Sequence, residues 1–112
     1  MITVDHVFCL AIEEIEAWLL GDEIAVQSAF PQAKLSELHR YEQDSICGTW
    51  ERLADVVYKG GQQAMRRQMF SERGRIKNEW AQKIGAYMEL TGNKSPSFNF
   101  FIGEVLKRAV VL

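Results

Sequence analysis

The chain has 112 residues, 47% of them hydrophobic and 25% charged, with a formal net charge of −2. That composition describes one globular domain with a real core, and it excludes collagen-like, low-complexity and intrinsically disordered classes. No apolar run approaches the ~20 residues that a bilayer requires, and Asp5 stands where a secretory leader would carry bases, so a cytoplasmic protein with no membrane segment is expected.

The small net charge hides a segregation. Asp5, Glu13, Glu14, Glu16, Asp22 and Glu23 fall in residues 1–23, which contain no Lys or Arg. Arg66, Arg67, Arg73, Arg75, Lys77 and Lys83 fall in residues 66–83, against Glu72 and Glu79. Such asymmetry fits two segments docked on each other, or an acidic site facing a basic anion-binding surface. Cys9 and Cys47 lack CxxC spacing, and His6 and His39 complete no zinc pattern. Reduced thiols without a catalytic part are expected.

In chain order, His6 to Ile12 form a short, nearly all-apolar run rich in β-formers. It reads as a strand buried on both faces, although the same residues could extend the following helix. From Glu13 to Leu20 no helix breaker occurs before Gly21. A second short helix is expected over 22–30, capped by Asp22 and stopped by Pro31. Residues 34–40 allow one further turn. After the loop "YEQDSICG", Thr49 is expected to cap a helix with Trp50, Leu53, Ala54 and Val57 as its core stripe, ended by Gly60-Gly61. A longer helix is expected over about 74–90, with Ile76, Trp80, Ile84, Tyr87 and Met88 on one face. Ser95 as N-cap with Pro96 in the first turn starts the last helix, which buries Phe98, Phe101, Ile102 and Val105.

The expected class is therefore mostly α with one N-terminal β-strand. A lone strand leaves unpaired backbone groups along both edges. It must pair with a second copy in a homodimer, or belong to a larger α/β domain of which residues 1–112 form the carboxyl-terminal portion.

Two charges break the apolar pattern. On a helical wheel, Ile12, Ile15 and Leu19 share one direction, Glu14 points to solvent, Glu13 lies at the border, and Glu16 falls inside the apolar arc. A buried carboxylate needs a metal, a cation or several donors. Lys77 likewise falls between Ile84 and Met88 on its helix. One reading is a structural Glu16–Lys77 pair, or a Lys77 that snorkels to water. The other makes Glu16 a ligand of a divalent metal and gives Lys77 or Arg75 a phosphate. The aromatics Trp50, Trp80, Phe98 and Phe101 read as core.

The blocks "AIEEIEAWLLGD", "DSICGTWERLADVVY", "GRIKNEWAQKI" and "NKSPSFNFF", in this order, resemble the carboxyl-terminal half of an uncharacterised bacterial family of TOPRIM-like proteins. Members are often encoded beside an ATPase, in settings suggestive of phage defence. The resemblance implies Mg²⁺-dependent phosphodiester chemistry, with metal held by an early glutamate and a DxD pair. It carries over onto Glu13, Glu14 and Glu16 after the strand and onto Arg75, Lys77 and Trp80; of these, Glu13 and Glu16 are expected as metal ligands, Glu16 and Lys77 as catalytic groups, and Arg75 and Lys77 as phosphate contacts. This sequence has no DxD, so the chain alone is expected to be inactive. A competing expectation is a helical module that docks on an ATPase partner or self-associates through its strand edge. Nucleic-acid binding through Arg66 to Lys83 ranks last, given the acidic pI of about 5.7.

Overall fold

A computed structural model describes residues 15–43 and 48–111. Seven helices run through them: α1 (Ile15–Leu20), α2 (Glu23–Ala29), α3 (Leu35–His39), α4 (Thr49–Val57), α5 (Gly61–Arg66), α6 (Phe70–Gly85) and α7 (Pro96–Val111). The mostly α class holds. The strand expected over 6–12, the carboxylates Glu13 and Glu14, and Cys9 and Cys47 lie outside the described residues.

α1 organises the rest. Its last four residues, Ala17, Trp18, Leu19 and Leu20, are all buried, so this end is apolar on every side rather than along one stripe. A helix of that kind belongs in the middle of a core, and α2, α4 and α6 each pack against it. Ile15, placed on the core direction by the wheel, is 45% exposed. The wheel assumed one buried face, whereas the last four residues of α1 are buried on every side.

α2 follows the expected punctuation. Asp22 Oδ1 accepts a hydrogen bond from the Ala25 amide at 3.0 Å, and the helix stops at Phe30, before Pro31. α3 is the single turn allowed over 34–40, tied to α4 by the Lys34 amide donating to the Val56 carbonyl at 2.8 Å.

α4 starts differently from expectation. Gly48, with φ 74°, occupies the cap position and Thr49 is already helical. Leu53, Ala54 and Val56 are buried, while Trp50 and Val57 are half-buried. Gly60-Gly61 does end α4, but it also opens α5, which the sequence pattern did not reveal. The cap of α5 comes from α4: Asp55 Oδ1 accepts from the Gln62 amide at 2.8 Å and Oδ2 from the Gln62 side chain at 2.9 Å. A cap supplied from seven residues away leaves no local signature. Gly61 must stay small, because an added Cβ would lie 2.6 Å from Asp55 Oδ1.

α6 carries the expected core residues Ile76, Trp80 and Ile84, but runs over 70–85 rather than 74–90. Its early start is supported by a ladder of charges at i,i+3 and i,i+4 spacing: Glu72–Arg75, Arg75–Glu79 and Glu79–Lys83. Beyond its end Tyr87 is 54% exposed and leaves the predicted stripe. α7 starts as expected, the Ser95 hydroxyl accepting from the Phe98 amide at 3.2 Å.

Candidate functional site

The densest polar arrangement joins the end of α1 to the start of α7. Asn93 is 5% exposed and Ser95 is fully buried. The Asn93 side-chain amide donates to the Trp18 carbonyl at 3.1 Å, and its Oδ1 accepts from the Ser95 amide at 2.8 Å. Asn99 donates back to the Asn93 carbonyl at 2.8 Å, and the Lys94 amide donates to the Gly21 carbonyl at 2.9 Å. The Trp18 indole N–H donates to Ser97 Oγ at 2.9 Å, which lies 3.0 Å from Ser95 Oγ. Above these bonds the Trp18 ring meets Phe98 edge-on at 5.5 Å and Phe101 at 4.9 Å.

None of the side chains in this junction is left with a buried polar atom lacking a hydrogen-bond partner. The junction accounts for "AWLLGD" and "NKSPSFNFF" as one lock. Gly21 is required there, since a Cβ would sit 2.0 Å from Asn93 Oδ1. Asp22 joins the lock's edge, its Oδ2 accepting from the Glu89 amide at 3.2 Å. The sequence reading found the Ser95 cap and the core aromatics but missed Asn93 and Ser97. A polar residue two positions before a Ser-Pro helix start was the available signal.

The remaining site residues are placed differently. Glu16, in the first turn of α1, is half-buried and makes no hydrogen bond or ion pair among the described residues, so no ion pair joins it to Lys77. Lys77 is half-buried, with Nζ 4.7 Å from the centre of the Trp50 ring. Arg66 lies 5.3 Å from the same ring and reaches Glu51 at 3.3 Å. Lys77 thus lies over an aromatic ring rather than on Glu16, one of the partners expected for it. Arg75 is engaged by Glu72, whose Oε1 accepts from Nε at 3.0 Å, and by Glu79 at 3.2 Å. The hydrogen bond from Arg75 holds the Glu72 carboxyl below its ordinary range, and Glu72 in turn raises the guanidinium further. Lys83 does the same to Glu79 first, and Arg75 second. An arginine already matched by two carboxylates is a poor phosphate ligand.

No cluster of three or more His, Cys, Asp or Glu able to hold a metal occurs among the described residues. No helix among them is long and apolar enough to cross a membrane. The fold and its central lock define a small helical domain organised around a buried α1. Compared with family models, curated proteins and solved structures, the chain gave no match.

Proposed function

We propose that this chain is the helical, carboxyl-terminal part of a TOPRIM-like protein and serves it as scaffold. In this reading Mg²⁺-dependent nuclease or phosphotransfer chemistry belongs to the larger α/β protein, and the chain on its own is inactive. The support is the lock between α1 and α7. Two of the four blocks that carry the resemblance, "AIEEIEAWLLGD" and "NKSPSFNFF", interlock through Trp18, Gly21, Asn93, Ser95 and Ser97. Their residue types are thereby explained by architecture.

Metal ligation in this reading falls to Glu13 and Glu16, which lead into α1, together with carboxylates of a DxD strand that this sequence lacks. Lys77 and Arg75 keep structural posts on Trp50 and on Glu72 and Glu79. The test is the genomic sequence immediately upstream. An in-frame segment with a glutamate-bearing strand and a later strand ending in DxD is the expected finding. A stop codon directly before Met1, with no such segment, would overturn the reading.

A second reading, a docking module for an ATPase partner or a second copy, draws on the far half of α7, where Val105 is 43% and Leu106 51% exposed. Light scattering across a concentration series tests its self-association arm, and a monomer at all concentrations would remove that arm.

A further inference from the structure

We infer that the groove between the α2–α3 connection and the α4–α5 turn is a binding site for a nucleoside phosphate, separate from Glu16 and Lys77 and independent of the TOPRIM-like reading. The groove encloses about 660 Å³ and is lined by Phe30, Lys34, Tyr58, Lys59, Gly60 and Lys83 among others, with no Asp or Glu in its lining. That size is in the range of small-ligand sites. In a chain of net charge −2, a concavity lined by Lys34, Lys59 and a Lys83 paired with Glu79 outside the lining, and by no acid of its own, favours anions.

The contrast with the other bases carries the argument. Arg66, Arg75 and Lys77, the residues that suggested anion binding in the sequence, are occupied by Glu51, by Glu72 and Glu79, and by Trp50. Lys34 and Lys59 are exposed and make no ion pair among the described residues. Lys83 lies 5.6 Å from the Phe30 ring centre while its ammonium also meets Glu79 at 2.8 Å. Two lysines without an ion pair among the described residues therefore line a groove whose other lining includes Phe30 and Tyr58, partly buried and packed on the core. Phosphate oxygens suit the lysines, and a flat base suits the rings.

The walls are preformed. The Lys34 amide donates to the Val56 carbonyl at 2.8 Å, the Tyr58 amide to Ala54 at 2.8 Å and the Gly61 amide to Tyr58 at 2.9 Å. These bonds fix both sides of the groove before any ligand arrives, which lowers the ordering cost of binding.

A nucleoside phosphate occurs free or as the end of a single strand, so the test uses both. ADP is followed by equilibrium dialysis, and a labelled oligothymidylate by fluorescence anisotropy, at low salt. Inorganic phosphate serves as the competitor without a ring. The expected result is binding of ADP, of the oligonucleotide, or of both, with inorganic phosphate a far weaker competitor. Lys34→Ala and Lys59→Ala should each weaken it about tenfold, the loss of one charged hydrogen bond, with unchanged melting temperature. Lys107→Ala, on α7, should leave it unchanged. ADP alone assigns the free nucleotide, and oligonucleotide binding that ADP displaces assigns the strand end. Absence of binding by either probe, binding that survives the double lysine variant, or inorganic phosphate competing as well as ADP would overturn the inference.

Discussion

At Gly21 the chain allows nothing larger than hydrogen, because a methyl carbon would stand 2.0 Å from Asn93 Oδ1 and 3.0 Å from the Ser95 amide nitrogen. Gly21→Ala should therefore displace Asn93 and strand buried donors and acceptors, costing about 2–4 kcal/mol in urea unfolding. Ser95→Ala removes the cap acceptor of α7 and the contact with Ser97 Oγ, and should cost about 1–2 kcal/mol. That order, glycine above serine, distinguishes a lock across the fold from a local cap. The two residues also mark what the sequence disclosed. Ser95 was legible because capping is local, its acceptor lying three residues from its donor. Asn93 was not, because its partner is the Trp18 carbonyl, 75 residues away.

At the scale of the helix, α6 joins two kinds of stabilisation with different dependence on solvent. Its buried face rests on Ile76, Trp80 and Ile84, and Trp80→Ala should cost about 3–5 kcal/mol. Lys77→Met keeps the stem over Trp50 and loses only the ammonium, so a loss of about 0.5–1 kcal/mol is expected in the same assay. A much larger loss would give Lys77 a role beyond the ring. The exposed face depends on the Glu72–Arg75–Glu79–Lys83 ladder. Hydrogen bonds from Arg75 and Lys83 hold Glu72 and Glu79 below the ordinary value of 4.5. Carboxyls lowered on folding stabilise above their unfolded pKa, and that contribution disappears as pH falls through the lowered folded value. Far-UV circular dichroism should show helix loss on acidification below about 4.5, with Arg75→Gln flattening this limb and salt doing the same. Most helix positions were legible from apolar spacing and caps. The start of α6 was missed because charge pairs, rather than apolar spacing, sustain its first turns, and α5 because its cap comes from Asp55.

Over the whole molecule, the described helices enclose α1, with Leu20, Val26, Leu53, Met65 and Ile84 almost wholly buried at the centre. α7 is anchored at its first turns through Phe98 and the Asn93 junction, and Val105 and Leu106 further along it are exposed. Three bases of residues 66–83 meet acids outside the acidic opening segment: Arg66 meets Glu51, Arg75 meets Glu72 and Lys83 meets Glu79. Neither an acidic metal site nor the expected Glu16–Lys77 pair is assembled among the described residues. The scaffold role proposed above carries the expectation that the chain on its own holds no divalent-metal site centred on Glu16. Calorimetric titration of the chain with Mn²⁺, in parallel with Glu16→Gln, tests that most directly. The account predicts no saturable heat in either protein. A saturable site in the wild type that disappears in Glu16→Gln would contradict it.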